Sequence, residues 1–289
     1  MKVMLSDSKK TFLLLCAIIV LLVPFRSQGQ KSARRYKVDG KTYKIASLNK
    51  KIEFMMKDVG IPGISLAVID EGKIVFSNTY GYQDMSEEEP EKVNDETLFQ
   101  AASLSKNFVT YAAYKLVDDD MLDLDKPMYE YMEYDRLKHD ERYKQITARM
   151  VLSHSSGLEN HKEDNNKDLL EIFHDPGTDF RYSGEGYLFL ASVMAQLLDK
   201  PVKEYLKEIV YDPLNLKRTF TLGTGEATKN HAAAHDQFGR HLGRWKNHIA
   251  WIESHIHTTA TDYANLLLAI FDGGLSEESV EQIWTPVVP

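Results

Sequence analysis

The sequence has a single cysteine, Cys16, among its 289 residues, which excludes an intramolecular disulfide framework and any cysteine-rich zinc site. It also lacks a basic excess, since 35 lysines and arginines stand against 43 aspartates and glutamates, for a net charge of −8. Phosphate binding needs a positive face, so this balance argues against a general nucleic-acid binder. Low-complexity tracts and fixed-period repeats are missing as well. What is present, a 43% share of hydrophobic residues, is typical of a globular protein.

The N-terminal segment has the pattern of a secretion signal. Lysines precede an apolar run over residues 11–23, which is shorter than the ~20 residues that a bilayer span needs. The small residues Ser27 and Gly29 have the spacing of a signal-peptidase site. We therefore expect residues 1–29 to be a signal peptide and residues 30–289 to be exported to the periplasm or the extracellular space, without a stable membrane span. The alternative is that the segment remains as an uncleaved anchor.

The first part of the mature chain predicts one helix and one hairpin. Residues 31–44 are basic and polar and are expected to form a loose lead-in. Residues 45–59 have the apolar spacing of an amphipathic helix that ends at Gly60. Residues 62–70 and 73–77 are β-branched and alternate, and the turn between them predicts a β-hairpin. The apolar face of the helix is expected to comprise Leu48, Ile52, Phe54, Met55 and Met56.

Beyond Phe99 the apolar spacing becomes mostly helical. Leu104, Phe108, Ala112 and Leu116 recur every four residues, and a first-turn proline is expected to open a helix over residues 201–209. Helical spacing also covers Leu190 to Leu198 and Thr259 to Phe271. One hairpin followed by a long helical region predicts an α+β fold, in which a small antiparallel sheet lies beside a large, mostly helical part.

The tetrad Ser103-Leu-Ser-Lys106 is the first candidate for chemistry. Residues three apart at the start of a helix project from one face, so the two side chains can meet. Serine is a weak nucleophile until a base takes its proton, and a partly buried lysine near the positive end of a helix dipole could be that base. First-turn N–H groups would also favour an oxyanion beside the serine. The tetrad alone is weakly specific, because Ser47 with Lys50 also matches it.

Further motifs follow in a fixed order around the tetrad. The chain reads Tyr-Gly-Tyr-Gln-Asp from Tyr80 and Leu-Ser-His-Ser-Ser-Gly-Leu up to Leu158. Pro176 to Tyr187 reads Pro-Gly-Thr-Asp-Phe-Arg-Tyr-Ser-Gly-Glu-Gly-Tyr. Over residues 45–285 this ordered series resembles the family of class C β-lactamases, low-molecular-weight penicillin-binding proteins and related esterases.

The resemblance implies a β-lactamase/transpeptidase-like fold and a serine acyl-hydrolase that works through an acyl-enzyme without a cofactor or a metal. By this resemblance Ser103 is the nucleophile, Lys106 is the general base and Tyr182 shares the proton transfer, while Ser183 and Gly184 belong to the substrate-binding motif. The substrate would be a small molecule, such as a β-lactam or an ester, or a D-alanyl peptide of peptidoglycan. Many relatives have asparagine where Gly184 stands, so a side-chain amide that would bind a substrate amide is missing.

The end of the chain departs further from the family. After the helix that resembles residues 259–272, relatives continue through several strands, one of which carries Lys-Thr-Gly or His-x-Gly. Neither triad follows Gly274. We therefore expect a C-terminally truncated domain with an incomplete sheet, an exposed strand edge and one oxyanion donor fewer, a loss that typically lowers turnover by ~10²–10³. The alternative to an enzyme is a non-catalytic binding remnant of the family.

Histidine pairs raise a third possibility, metal-dependent hydrolysis. His231 and His235 have the spacing of a helical zinc pair, but no glutamate follows His231 as in a zincin motif. The pair at His255 and His257 lacks the Asp-His that follows in metal-dependent lactamases. The pattern therefore favours surface or hydrogen-bonded histidines and no metal. His154, in the Leu-Ser-His-Ser-Ser-Gly segment, is interpreted as a structural residue that orders backbone carbonyls.

Overall fold

The computed structural model describes residues 35–161, 169–221, 225, 229–244 and 252–288, so the predicted signal peptide lies outside the described residues. The strands are β1 Arg35–Val38, β2 Lys41–Lys44, β3 Gly63–Asp70, β4 Lys73–Gly81, β5 Phe99–Gln100, β6 Ala234–His235, β7 His241–Gly243 and β8 His257–Thr258. The α-helices are α1 Ile45–Val59, α2 Lys106–Asp118, α3 Ala148–Leu152, α4 Gly184–Leu198, α5 Val202–Leu206, α6 Ala260–Phe271 and α7 Glu277–Trp284. The shorter helical turns are Ala102–Ser105, Met128–Glu130, Glu141–Gln145 and the π-helical Lys207–Tyr211. The α+β class expected from the sequence is the class observed.

The predicted hairpin is the antiparallel pair β3–β4. Asp70 faces Lys73 across a two-residue loop, in which Glu71 and Gly72 have φ of 47° and 70°. Two left-handed residues in succession are typical of a type I′ turn, whose twist matches the strands it joins. Strand β4 continues to Gly81, four residues beyond the predicted end. Helix α6 packs against β3. Among the described residues β3 pairs only with β4, so its second edge has no strand partner there.

The expected loose lead-in is wrong over residues 35–44, which form a hairpin. Strands β1 and β2 pair in register around Asp39 and Gly40, whose φ values are 50° and 70°. Tyr36 stacks on Tyr43 with ring centroids 5.4 Å apart and lies 5.6 Å from the ring of Phe76 in β4. An Asp-Gly pair between β-forming residues is a strong hairpin signal, and the basic composition of the segment concealed it.

Helix α1 has the predicted bounds, but its buried face is narrower than expected. Gly60 ends the helix with φ of 72°, a conformation that glycine adopts without strain. Met56 is buried at 8% exposure, whereas Phe54 and Met55 are 70% and 53% exposed. Successive helical residues are rotated by about 100°, so three in a row cannot all face the core.

The core lies between α2, α4 and the segments packed on them. Phe108 and Ala112 of α2 and Leu190 and Met194 of α4 are fully buried, as the spacing predicts. The ring of Tyr134 stacks on Phe189 at 4.5 Å. The described part of the chain has no helix with the length and apolar character needed to cross a membrane. Packing of α2 against α4 brings the beginnings of these two helices together, and the candidate site lies there.

Candidate active site

The turn that carries Ser103 is held in a strained backbone conformation. Ala102 has φ of 45°, which is unfavourable for a residue with a Cβ and costs about 1–3 kcal/mol. Two hydrogen bonds fix the turn on both sides: Ala101 N–H donates to the Ile256 carbonyl at 2.8 Å, and Ile256 N–H donates to Ser105 Oγ at 3.1 Å. Ser103 is therefore presented to solvent on a rigid turn, directly before α2.

Lys106 and Tyr182 meet beside this turn. Lys106 is 6% exposed, its Nζ donates to the Glu253 carbonyl at 3.1 Å, and it lies 4.9 Å from the centre of the Tyr182 ring. Burial raises the pKa of Tyr182, but hydrogen bonding by Lys106 and Ser103 and the positive charge of Lys106 outweigh burial and lower that pKa. The structure thus brings together all three residues that the sequence singles out for chemistry.

His154 supports Tyr182 from the side. Its ring centroid is 4.4 Å from that of Tyr182, and its Nδ1 accepts the Ser183 N–H at 3.1 Å. Burial and the nearby charge of Lys106 lower the pKa of His154 to about 4, so its ring is neutral at pH 7, with the proton assigned to Nε2. The structural role expected for His154 is present, but its ring binds a backbone N–H rather than a carbonyl. It is a positioning residue for Tyr182.

Ser183 is buried, and its hydroxyl makes hydrogen bonds within the protein, so its role in substrate binding stays a prediction. The residue is 1% exposed and stands at the N-cap of α4. Its Oγ accepts the N–H of Gly186 at 2.9 Å and donates to the Glu159 carbonyl at 2.7 Å. An N-cap serine satisfies one of the free N–H groups of a helix start, as Ser183 does here.

The N–H of Gly184 is also bonded within the protein, and its role in substrate binding likewise stays a prediction. Its N–H donates to both the backbone oxygen and the side-chain oxygen of Asn160, each at 3.0 Å. A Cβ at this position would lie 2.6 Å from the Asn160 carbonyl oxygen and 3.2 Å from Glu253 Cγ. The room that a side chain would need is therefore taken by Asn160 and Glu253, which explains why glycine stands here.

We expect Gly184→Asn to lower the free energy of unfolding by about 1–3 kcal/mol, because the new side chain must displace the 159–160 backbone. Urea unfolding measures the change. Gly186→Ala is the matched control in the same helical turn, since its Cβ would meet nothing closer than Ser183 Oγ at 3.3 Å. If Gly184→Asn proves as stable as the wild type, the close approach of Asn160 is not a real constraint.

Glu253 is a site residue that the sequence analysis missed. It is 4% exposed, its Oε1 accepts from Ser254 Oγ at 3.0 Å, and its Oε2 has no hydrogen-bond partner among the described residues. Burial raises the pKa of its carboxyl more than the Ser254 hydrogen bond and the charge of Lys106 lower it. Glu253 and Lys106 are 147 residues apart in the sequence, so no local sequence pattern predicts their contact.

A buried ion pair lies at the beginning of α4. Arg136 Nη1 is 2.6 Å from Glu185 Oε2, with the two side chains 10% and 2% exposed. The negative charge of Glu185 further raises the pKa of Glu253. Removing one member of such a pair leaves an uncompensated buried charge, so this pair fixes the helix start that carries Ser183 and Gly184.

The histidine pairs are arranged differently from the spacing in the sequence. His231 does not meet His235; its ring packs edge-on against the ring of His257, with centroids 4.7 Å apart. His235 lies in β6 and contacts His241 and Asp84 instead. The helical zinc pair that the His231 spacing raised is therefore not formed. None of these histidines belongs to the cluster around Ser103.

Comparison with known proteins identifies the family to which this sequence is similar. The sequence profile of the Beta-lactamase family matches residues 48–286. Protein flp of Staphylococcus aureus (strain MW2) is 25% identical over 206 residues, covering 66% of this chain and 40% of its own. N-acetylmuramyl-L-alanine amidase of Bacillus subtilis (strain 168) is 27% identical over 210 residues, covering 62% of this chain and 46% of its own. The chain thus spans less than half the length of these relatives.

Solved structures share the fold. The octameric penicillin-binding protein homologue from Pyrococcus abyssi superposes with a TM-score of 0.67 at 22% identity, over 82% of this chain and 59% of that one. A class C β-lactamase in complex with cefoxitin gives a TM-score of 0.69 at 21% identity, over 82% and 68%. The expected β-lactamase/transpeptidase-like fold is therefore confirmed. Because the family profile covers most of its length, this chain belongs to the beta-lactamase family.

Proposed function

We propose that this chain is an exported serine acyl-hydrolase that forms an acyl-enzyme on Ser103. The observation that carries the proposal is the arrangement around Tyr182, whose hydroxyl interacts with both Ser103 and Lys106. A phenol serves as a base near neutral pH only if cations and donors stabilise its phenolate, and those are the groups that surround it. The exposed position of Ser103 leaves the nucleophile open to a substrate.

The proposed reaction has two steps. The Tyr182–Lys106 pair acts as the general base: the proton of Ser103 Oγ passes to the Tyr182 phenolate, which the Lys106 ammonium stabilises, while Oγ attacks the acyl carbonyl and the leaving group departs with a proton returned by the pair. Water then attacks the acyl-enzyme and gives a proton to the same pair, the bond between the acyl carbon and Ser103 Oγ breaks, and the pair returns that proton to Oγ as the acid is released. The N–H groups at the beginning of α2 favour the oxyanion in both steps.

The substrate class follows from what stands near the nucleophile. An apolar groove of about 540 Å³ adjoins the turn through Ala101 and Leu104 and continues along β3 and α6. It suits an apolar acyl group. Because Gly184 provides no side-chain amide, we rank small esters ahead of β-lactams and D-alanyl peptides. Binding of cefoxitin is a property of a structural relative, and the same chemistry is a proposal for this chain.

Active-site labelling tests the proposal. The full chain is treated with a fluorophosphonate or a fluorescent penicillin, and the adduct is located by mass spectrometry within the peptide that contains both Ser103 and Ser105. We expect one adduct per chain, on Ser103. An adduct on another residue, or no adduct with either reagent, contradicts the proposal.

A second candidate is a binding protein of the same family that does not turn substrate over. It is supported by β3, whose second edge has no strand partner among the described residues, so no second oxyanion N–H is contributed from that side. This candidate predicts binding or a single acylation event without release of product. Steady ester hydrolysis after the first equivalent of product contradicts it.

A further inference from the structure

The short hairpin β6–β7 places two histidines on the same face. His235 is the cross-strand partner of His241, and directly paired residues in an antiparallel ladder project to the same side. Asp84, three residues after the end of β4, lies beside them. Its Oδ1 is 3.5 Å from His235 Nε2 and 3.1 Å from His241 Nδ1. One ligand atom from each of the three residues falls within 4.8 Å of the other two.

The two distances from Asp84 to the histidine nitrogens are close to those between ligand atoms around a small divalent ion. Zinc binds imidazole nitrogen and carboxylate oxygen at about 2.0–2.2 Å and prefers a tetrahedral arrangement, so its ligand atoms lie about 3.3–3.5 Å apart. The two contacts of Asp84, at 3.5 Å and 3.1 Å, lie close to that range without an ion to draw the side chains together. Two imidazoles and one carboxylate are also the ligand types that zinc takes.

The ligands are held in advance by neighbouring groups. His235 Nδ1 is 3.1 Å from the Ala233 carbonyl, and donation of its proton there leaves Nε2 as an acceptor. Nε2 takes a long hydrogen bond from Met85 N–H at 3.4 Å, which a metal ion bound at Nε2 would replace. Asp84 is 2% exposed and accepts from Ser86 N–H at 3.0 Å and Ser86 Oγ at 2.7 Å.

Arg244 is the competing cation. Its Nη1 is 3.7 Å from Asp84 Oδ2, but it is closer to Glu87 Oε1, at 3.0 Å. The guanidinium therefore already has a carboxylate partner outside the cluster. His241 Nδ1 lies 3.1 Å from both oxygens of Asp84, and Oδ1, which also accepts from Ser86, is 3.5 Å from His235 Nε2.

We propose that Asp84, His235 and His241 bind one divalent transition-metal ion, with zinc as the best match. The ion would tie the β6–β7 hairpin to the end of β4, where the backbone supplies the bond from Ala233 N–H to the Gln83 carbonyl at 2.9 Å. A two-stranded hairpin is marginally stable by itself, so such a link has a clear structural purpose. Three protein ligands leave the fourth tetrahedral position to water.

The sequence could not have identified this set. His235 has a zinc-like spacing to His231, which is the wrong partner, and the carboxylate comes from a point 157 residues before His241. The site is independent of the chemistry proposed for Ser103, and neither proposal depends on the other.

Zinc titration of the full chain tests the site. The purified protein is stripped with EDTA and dialysed, ZnCl₂ is added in a calorimeter, and bound zinc is counted by elemental mass spectrometry after gel filtration. We expect one zinc per chain, and a loss of affinity of about 100-fold or more in His241→Ala and Asp84→Asn. His139→Gln, which removes an exposed histidine elsewhere, should bind as the wild type does.

Thermal unfolding gives an independent readout. Zinc should raise the Tm of the wild type and of His139→Gln but not that of His241→Ala, because an ion that binds only the folded state stabilises it. His241 is only partly buried, so its substitution keeps the test decisive even if Asp84→Asn fails to fold. A wild type without bound zinc, or a His241→Ala variant with unchanged affinity, overturns the proposal. Labelling of Ser103 is no part of these measurements, so each proposal fails or stands by itself.

Discussion

Ser103→Ala is expected to remove covalent labelling completely and to lower ester hydrolysis by about 10⁴-fold or more. The physical reason is that the variant keeps the turn, Lys106 and Tyr182 but has no oxygen to form the ester bond of the acyl-enzyme. Residual turnover can come only from groups that stabilise an oxyanion without a nucleophile. Intact-protein mass after reaction with a fluorophosphonate measures the first effect, and initial rates with a chromogenic ester measure the second.

The chain contains its own matched control for this variant. Ser47 and Lys50 have the same spacing as Ser103 and Lys106, but Ser47 is exposed on α1 and has no neighbouring tyrosine in the described contacts. Ser47→Ala should therefore label and turn over as the wild type does. Equal labelling of Ser103→Ala and the wild type would remove Ser103 from the role of nucleophile, and loss of labelling in Ser47→Ala would show that the tetrad motif was assigned to the wrong helix.

The sequence predicted those parts of the site that depend on local spacing or on an ordered motif. Ser103 and Lys106 are neighbours on one helical turn, so their meeting follows from helix geometry. Tyr182 lies 76 positions further along, and only the family resemblance connected it with them. Glu253 belongs to no motif, and its place beside Lys106 depends on how a distant segment packs against the beginning of α2.

The missing side chain at Gly184 was evident from the sequence, but only the structure gives the reason for it. The absence of that side chain was expected to weaken substrate binding. The structure shows that Asn160 and Glu253 occupy the space that a side chain at position 184 would need, so glycine at this position goes together with their packing. Ser183 was assigned to substrate binding from its motif alone, and the structure adds that a serine before a helix is also a cap, whose hydroxyl here accepts from Gly186 N–H and donates to the Glu159 carbonyl.

The fold was predictable where the turn chemistry was simple. The β3–β4 hairpin and the bounds of α1 follow from alternation and from glycine as a helix terminator. The β1–β2 hairpin could equally have been predicted from Asp39-Gly40, but the basic and polar composition of the segment was given more weight. The partner of His235 could not be predicted, since cross-strand pairing within β6–β7 and the approach of Asp84 are both tertiary.

We expect the folded state to lose stability steeply between pH 6.5 and pH 4. His154, His231 and His257 each have a pKa of about 4 against an ordinary value of 6.5. Burial is the main cause in all three. At His154 the charge of Lys106 adds to the effect of burial, and at His231 the charges of His257 and Arg244 do so. At His257 a backbone hydrogen bond with His255 opposes burial, and the charge of His255 adds to burial to a smaller extent.

The sign follows from which state binds the protons. In the unfolded chain these histidines take up protons near pH 6.5, whereas in the folded protein they remain neutral down to about pH 4. The unfolded state therefore binds more protons within this window, and stability falls as the pH falls. Each histidine costs roughly 2 kcal/mol between pH 7 and pH 5, a total of roughly 6 kcal/mol for the three. The raised pKa values of Glu253 and Asp262 act in the opposite sense and recover part of this loss.

His257→Leu separates this effect from general acid sensitivity. Neither ring nitrogen of the fully buried His257 has a well-formed hydrogen bond in the described part of the structure, so leucine should be neutral or stabilising at pH 7. The slope of unfolding free energy against pH, from urea curves at pH 7, 6 and 5, should then decrease by about one proton. His139→Gln, at an exposed position, should leave the slope unchanged. A wild type equally stable at pH 7 and pH 5 would mean that these histidines open to water without unfolding, which is incompatible with the tight packing of His231 against His257.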